Sequence, residues 1–207
     1  MEISLILLHE NLKLLESYVQ LDWQKTAIAK DIHIEPYMYT PDNLLAIERI
    51  ANSNIFIDGQ EWSYAKLLNI NSNQLLDIYS NARPEGSGYF VAKTSHGDLI
   101  GFGLVDSYDS DTDNYDVEHN FKEWVIGLLA VDPNYRRFRV GHKLFDYIAQ
   151  WVRDKAAMQG KTAESLYIDC LIFNKPACEA YRKWTNNNCK DDPEDNTTRC
   201  KMDLRLT

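Results

Sequence analysis

The sequence of 207 residues lacks the features that mark several large classes of protein. No stretch approaches the roughly 18 consecutive apolar residues of a membrane-spanning helix, and the apolar run at 3–8 is too short for a secretion signal. Lys and Arg number 22 against 31 Asp and Glu, and the resulting net charge of −9 argues against a general nucleic-acid-binding protein. We therefore expect a cytoplasmic protein with neither a membrane nor a nucleic-acid partner.

Metal-binding signatures are also missing. The four cysteines contain no CxxC pair, and the aspartates at 109, 111 and 113 lack the glycine and the terminal glutamate of a calcium loop. We expect no bound metal and, for a cytosolic protein, reduced thiols. The cysteines all fall in the last 40 residues: Cys170, Cys178, Cys189 and Cys200.

Internal repeats and low-complexity linkers are absent, which favours one domain with an appendage. A helical stripe near the N-terminus, with spacings of three and four, predicts an N-terminal helical extension over residues 1–31. The stripe spans only two heptads, so a docked helix and a dimer contact both remain open, and the protein is expected to be a monomer or a homodimer. Its members are Leu5, Leu8, Leu12, Leu15 and Val19.

The remaining pattern predicts a mixed α/β or α+β domain over residues 32–207. A hairpin turn is expected at 95–98, and a polar loop precedes the strand that ends at Pro133. Predicted helices cover 41–50 (with Thr40 as N-cap), 61–79, 142–157 and 175–184. Predicted strands cover 32–37, 89–94, 99–105, 122–131, 166–173 and 200–206.

The most informative stretch joins the strand that ends at Pro133 to the helix that follows. Residues 134–143, here named the basic loop, hold four cations and no acid, a local charge of +4. Amides at a helix start have no partner within the helix and can bind an anion. Both a polyphosphate ligand and a solvated basic turn fit this pattern. The four cations are Arg136, Arg137, Arg139 and Lys143.

The segment Arg136-Arg137-Phe138-Arg139-Val140-Gly141 resembles the Arg/Gln-x-x-Gly-x-Gly/Ala motif of the GNAT superfamily of N-acetyltransferases. Arg139 stands where the family has its first glycine, and its guanidinium could contact a phosphate. The resemblance implies a central mixed, mostly antiparallel sheet flanked by helices, and acetyl-CoA as cosubstrate. It also implies cofactor contacts at Arg136, Arg137, Phe138, Arg139, Val140, Gly141, His142 and Lys143.

A second segment, from Asn174 to Tyr181, is similar to the family's Asn-x-x-Ala-x-x-x-Tyr. The resemblance implies that Asn174 contacts the cofactor arm and that Tyr181 protonates the departing thiolate. It further implies that the pantetheine arm pairs with the main chain of Leu129 and Val131. The reaction would be direct attack by the amine, with no covalent enzyme intermediate.

A proton acceptor is also needed, because a primary amine is mostly protonated at pH 7. Strand alternation places the side chain of Glu123 on the same face as Leu129 and Val131, unless a bulge intervenes. Glu123 is therefore the candidate base, and the alternatives are Glu118, His119 and a water relay. The family often places its glutamate at the position held here by Val125.

The stretch at 106–123 carries seven acids against one lysine, a charge of −6. By resemblance it borders the acceptor side, where it would attract cationic amines; a solvated acidic loop is the other interpretation. We expect an N-acetyltransferase that acts on a primary amine, cationic or otherwise. A non-catalytic CoA-binding regulatory module and a protein or peptide N-acetyltransferase remain open.

Overall fold

The computed structural model of the chain describes residues 31–57, 60–63, 74, 86–109, 114–115 and 121–206. The predicted N-terminal helix lies outside the described residues, as do Glu118 and His119. The division into an extension at 1–31 and a domain at 32–207 therefore stays a prediction.

Two sheets are present within the described ranges. Three helices, α1 (Pro41–Ala51), α2 (Val140–Met158) and α3 (Lys175–Trp184), accompany them. The strands are β1 (His33–Pro36), β2 (Asn54–Ile57), β3 (Gln60–Ser63), β4 (Ser87–Lys93), β5 (Leu99–Asp109), β6 (Asn114–Tyr115), β7 (Glu123–Val131), β8 (Ser165–Leu171), β9 (Cys189–Asp192) and β10 (Thr197–Asp203).

The main sheet has the order β1-β4-β5-β7-β8-β10-β9, and β6 pairs with the end of β5. Among the described strand pairs, β7 and β8 are the parallel ones, joined by α2 as a crossover, and the other pairs are antiparallel. The predicted mixed, mostly antiparallel sheet flanked by helices is confirmed.

The first helix covers one face of the sheet. Thr40 Oγ1 accepts a hydrogen bond of 3.1 Å from the Asn43 amide, and Pro41 occupies the first turn, as the sequence predicts. Ile47 and Ile50 are fully buried and pack in a cluster with Phe102. Burial of each isoleucine contributes about 1.5–3 kcal/mol, so α1 is held mainly by its apolar side.

The second helix covers the opposite face. Leu144, Phe145 and Ile148 are fully buried in a cluster that includes Trp124 of β7. A Cβ placed on Gly103 would lie only 2.9 Å from Ile148 Cδ1, so the absence of a side chain there lets α2 approach β5 closely. The two faces of the sheet are thus covered by different helices. In the part of the chain described, no helix is both long and apolar enough to cross a membrane.

Two predicted segments need correction. The predicted helix at 61–79 is wrong at its start, because residues 60–63 form β3 and pair with β2. A short segment in which aromatic and polar residues alternate fits both the 3.6-residue period of a helix and the two-residue period of a strand. The local pattern alone therefore does not distinguish a helix from a strand here. The polar loop expected from Asp106 begins later, because β5 continues to Asp109 and pairs there with β6.

The cysteines pair as two disulfides, Cys170–Cys178 and Cys189–Cys200, so the prediction of reduced thiols is wrong. Cys178 lies on α3, which packs over β8, and Cys170 is on the β8 face that points toward this helix. Cys189 and Cys200 are cross-strand partners in β9 and β10. These pairings follow from tertiary packing, which spacing along the sequence does not encode.

Candidate active site

The two parallel strands pair over only part of their length. Their register joins Glu123–Ile126 to Ser165–Ile168, whereas β7 runs on to Val131 and β8 to Leu171. Beyond Ile126 the described pairing of β7 is with β5 alone. The main chain of residues 127–131 that faces away from β5 is here named the splayed edge.

Hydrogen bonding fixes which groups point into the splayed edge. The Asp132 amide donates to the Ile100 carbonyl on β5 at 2.9 Å, so by alternation the main chain of Ala130 also faces β5. The main-chain groups of Leu129 and Val131 therefore point the other way, toward the gap between β7 and β8. An extended ligand laid in this gap would meet these two residues.

The turn after β7 is anchored by a buried carboxylate. Asp132 is only 2% exposed, and its Oδ1 accepts from the Asn134 amide at 2.9 Å. Its Oδ2 forms an ion pair with Arg49 of α1, which also donates to the Leu99 carbonyl at 3.4 Å. This contact ties the first helix to the start of the basic loop.

The basic loop has an unusual backbone. Arg137 and Arg139 adopt φ values of 68° and 62°, in the left-handed region that favours glycine. This region costs a residue with a side chain about 1–2 kcal/mol. The first hydrogen bond of α2 runs from Lys143 N–H to Arg139 C=O, so the amides of Val140, Gly141 and His142 have no acceptor within the helix. Arg139 thus adopts the conformation expected of the glycine it replaces.

The side chains of the basic loop divide into two groups. Arg137 and Arg139 are exposed, whereas Arg136 turns inward and its Nε donates to the Val131 carbonyl at 3.3 Å. His142 Nδ1 lies 2.9 Å from Asp146 Oδ2. Phe138 is half-buried against Tyr135, and Lys143 is half-buried in the first turn of α2. Arg137, Arg139 and the first helical amides are therefore the groups best placed to bind an anion.

The third helix lies over the same helix start. A Cβ on Gly141 would lie 3.3 Å from the Trp184 ring and 3.6 Å from Val131, so a larger residue would displace α3. The centroid of the Trp184 ring lies 5.3 Å from that of Tyr181, which is 9% exposed. The structure thus links Tyr181 to the basic loop through one tryptophan. Trp184 was not among the predicted site residues, although its i+3 spacing from Tyr181 places both on one side of the helix.

The other predicted residue of α3 is at its start. Asn174 follows β8 beyond the point where β7 and β8 separate, and its carbonyl accepts from the Ala177 and Cys178 amides. Its side chain is half-buried and makes no capping hydrogen bond. The side-chain amide of Asn174 therefore does not cap the helix.

The face predicted for Glu123 is wrong, because a bulge interrupts β7. The register pairs Leu104 with Leu128 and then Val105 with Ile126, so Gly127 is the additional residue. Before the bulge Ile126 packs on the α2 side, and after it Leu129 does so. Glu123 consequently lies on the face opposite the Leu129 and Val131 side chains.

This opposite face carries a cluster of polar and aromatic groups, here named the polar face. Glu123 Oε1 accepts a hydrogen bond of 3.0 Å from the Tyr167 hydroxyl. Arg199 donates three hydrogen bonds to the Asp169 carboxylate and one, of 2.7 Å, to the Tyr108 hydroxyl. The Asp169 hydrogen bonds raise the pKa of Arg199 above its ordinary value. The polar face comprises Asp106, Tyr108, Glu123, Tyr167, Asp169 and Arg199.

The carboxylate of Asp106 lies nearest to the bulge. It accepts from Ser87 Oγ at 2.6 Å, and a Cβ placed on Gly127 would be 3.9 Å from Asp106 Oδ2. Asp106 is the cross-strand partner of Val125 and is half-buried. Asp106 was predicted to belong to an acidic loop, because its place beside Val125 depends on the register of two strands that are distant in sequence.

Comparisons with known proteins agree with this geometry. A family model described as Acetyltransferase (GNAT) family matches residues 50–185. No curated protein matches the sequence. Among the described residues, no group of three His, Cys, Asp or Glu side chains is arranged to hold a metal ion.

Solved structures with the same fold share little sequence with the chain. The GNAT domain of an S. lividans protein named PAT superimposes with a TM-score of 0.62 at 12% identity, covering 83% of this chain and 90% of that one. The ribosomal-protein-S18-alanine N-acetyltransferase from Escherichia coli gives 0.52 at 15% identity, covering 84% and 94%. A spermidine/spermine N-acetyltransferase from Vibrio cholerae gives 0.53 at 10% identity, covering 86% and 95%.

Proposed function

Because this chain belongs to the acetyltransferase (GNAT) family, we propose that it transfers an acetyl group from acetyl-CoA to a primary amine. One observation carries the proposal. The splayed edge of β7 lies beside a helix start whose amides have no acceptor within the helix. A gap lined by main-chain groups suits an extended amide-bearing arm, and the helix start suits its phosphates.

The residues present fit acetyl-CoA. Val140, Gly141 and His142 would offer their amides to the phosphates, and Arg137 and Arg139 would add exposed positive charge. Arg136, Phe138 and Lys143 would shape the same loop around them. Leu129, Val131 and Asn174 would hold the pantetheine arm along the gap. When bound, acetyl-CoA supplies an acetyl group activated as a thioester.

The chain's own residues supply proton transfers and charge stabilisation. Tyr181 would donate a proton to the departing sulfur, and main-chain amides at the splayed edge would stabilise negative charge on the carbonyl oxygen. A carboxylate on the polar face would accept the proton of the amine, and Glu123 and Asp106 are the candidates. Cys170 and Cys178 are joined in a disulfide, which supports direct attack over transfer through a thiol.

The acceptor is proposed to be cationic. Asp106 and Glu123 both lie on the polar face, where their negative charge would attract an ammonium group. The Vibrio cholerae structural neighbour is a spermidine/spermine enzyme, which makes polyamines the first class to test. The Escherichia coli neighbour acts on a protein alanine, so an N-terminal amine is the second candidate.

Binding of the cosubstrate is tested by thermal unfolding. At 100 times its dissociation constant, a ligand that binds only the folded state adds about 2.7 kcal/mol to the free energy of unfolding. We expect acetyl-CoA to raise the melting temperature, and NAD at equal concentration to raise it far less. If no CoA derivative stabilises the protein, the proposed function fails.

A non-catalytic CoA-binding regulatory module is the alternative, favoured by Arg139 at a glycine position of the motif. Such a module would bind acetyl-CoA but release no thiol with any amine. An enzyme would release CoA in proportion to the acetylated amine, so thiol release separates the two.

A further inference from the structure

We infer that Asp106 is the catalytic carboxylate that binds the ammonium group of the acceptor and takes its proton. The inference rests on the proposed acetyl transfer and names the residue that serves it. Asp106 lies on β5, outside the motifs that identify the family, and its carboxylate lies on the polar face beside Gly127, the residue at which the splayed edge begins.

The position of Asp106 is the first reason for assigning it this role. An arm that enters at the basic loop and follows Val131 and Leu129 along the splayed edge reaches Gly127 next. Asp106 Oδ2 lies 3.9 Å from where a Cβ on Gly127 would be, which is ordinary contact distance. Gly127 itself is exposed, so an amine can approach the carboxylate at the same point.

The face of the sheet on which Asp106 lies is the second reason. Val105 packs in the cluster beneath α2, so its neighbour Asp106 points to the polar face. An amine approaching from this face would meet the thioester from the side opposite α2. The cosubstrate and the acceptor would then share one gap without competing for the basic loop.

The carboxylates of the polar face differ in their partners and positions. Asp169 is held by three hydrogen bonds from Arg199, whose positive charge balances the negative charge of the carboxylate. Glu123 starts β7, four residues before the bulge, and accepts from the Tyr167 hydroxyl. Four strand residues span about 13 Å, so Glu123 is better placed to bind a distant part of the acceptor. Asp106 accepts a hydrogen bond from the Ser87 hydroxyl and borders the bulge directly.

The proton and electron balance is simple. Asp106 takes one proton from the ammonium, which frees the nitrogen lone pair to form the C–N bond. The C–S bond of the thioester breaks, and Tyr181 supplies the proton that the sulfur needs. The new C–N bond leaves two protons and a positive charge on the nitrogen, which passes one proton through water to the tyrosinate of Tyr181 and becomes a neutral amide. Asp106 returns its own proton to water, so the products are the amide, the CoA thiol and one released proton, and no oxidant or reductant enters the step.

The test is Asp106→Asn, with Asp98→Asn as matched control in the turn before the same strand. Spermidine and an alanine-initiated peptide serve as amines, with hydroxylamine as a nucleophile that is largely neutral at pH 7. We expect Asp106→Asn to lower kcat with the alkyl amines by a factor on the order of 10² and to remove the acidic limb of the pH–rate profile. Turnover of hydroxylamine should fall much less, and the dissociation constant of acetyl-CoA should not change.

A second variant keeps the carboxylate. Gly127→Ala adds a methyl group at ordinary contact distance, 3.9 Å from both Asp106 Oδ2 and Leu104 Cδ2, so the fold should tolerate it. The methyl group would stand between the carboxylate and the gap, and turnover should fall on the order of tenfold. An unchanged pH–rate profile in Asp106→Asn, or a limb removed by Glu123→Gln instead, overturns the inference.

Binding gives a readout that needs no turnover. We expect Asp106→Asn to weaken spermidine binding by about tenfold in calorimetry, the effect of losing one charge-assisted hydrogen bond. Equal affinity in the two proteins overturns the role of Asp106. If the wild-type protein acetylates none of the amines, hydroxylamine included, the proposed function fails, and the calorimetry still decides whether Asp106 binds an ammonium group.

Discussion

At the scale of single residues, Tyr181 has the environment of a proton donor that is shielded from water. It is nearly buried, with its ring against Trp184. Replacing Tyr181 by phenylalanine keeps the ring and removes only the hydroxyl. We expect turnover to fall by a factor on the order of 10², with little change in acetyl-CoA affinity.

The matched control for this change is Tyr147→Phe. Tyr147 lies on α2 with its ring against Phe90, away from the basic loop. Steady-state kinetics and calorimetry on both variants give the comparison. Equal turnover in Tyr181→Phe and wild type would remove Tyr181 as the acid.

Arg139 combines backbone strain with positive charge, and two substitutions separate these properties. Arg139→Gly relieves the left-handed conformation at φ 62° and should raise the free energy of unfolding by up to about 1 kcal/mol. It should also weaken acetyl-CoA binding, because the guanidinium is lost. Arg139→Lys keeps both the charge and the strain, so stability should stay unchanged. Urea unfolding and calorimetry measure the two effects; a stability loss in Arg139→Gly would contradict the account.

At the scale of elements, the ion pair of Arg49 and Asp132 connects α1 to the basic loop. Asp132→Ala removes the acceptor of the Asn134 amide and of the Arg49 guanidinium. Because Asp132 is buried but Arg49 is 56% exposed, we expect a loss of about 1–3 kcal/mol, below that of a fully buried pair. Acetyl-CoA binding should also weaken as the loop loses its anchor.

Urea unfolding and acetyl-CoA calorimetry measure both parts of that prediction. Glu35→Ala is the control, since Glu35 pairs with Lys93 on the surface, far along the chain from the basic loop. If Asp132 anchors the basic loop, only Asp132→Ala should weaken acetyl-CoA binding. If both variants behave like wild type, the contact does not anchor the loop.

The sequence predicted those elements whose bounds depend on residues close together along the chain. Thr40 and Pro41 marked the start of α1, and the helix predicted over 142–157 matches α2 to within two residues at each end. The bulge at Gly127 could not be predicted in this way, because one extra residue in β7 depends on its pairing with β5. That bulge put Glu123 on the face opposite the predicted one and left Asp106 beside Gly127. The geometry of the candidate site was therefore predictable around the basic loop and much less so on the polar face.

At the scale of the whole molecule, the two disulfides link the C-terminal elements. Cys170–Cys178 ties β8 to the helix that carries Tyr181, and Cys189–Cys200 ties β9 to β10. Loops of 8 and 11 residues correspond to roughly 2.5–3 kcal/mol each in the chain-entropy relation. We expect a reducing agent to lower the melting temperature, and thiol titration of the denatured, unreduced protein to find no free thiol. Four titratable thiols before reduction would contradict these pairings.

Charged residues are distributed unevenly along the chain. Within the net charge of −9, a basic loop of +4 at 134–143 and an acidic stretch of −6 at 106–123 lie close together along the sequence. In the proposed function the first meets the phosphates of acetyl-CoA, and the second meets a cationic amine. Added salt should therefore weaken the binding of both.

Thiol release from acetyl-CoA distinguishes an acetyltransferase from a protein that only binds the cosubstrate. The wild-type protein is mixed with acetyl-CoA and, in turn, with spermidine, an aminoglycoside, lysine and an alanine-initiated peptide. The account predicts CoA release that depends on at least one of these amines and equals the amount of acetylated amine found by mass spectrometry. Binding of acetyl-CoA with no amine-dependent release across the panel would contradict it.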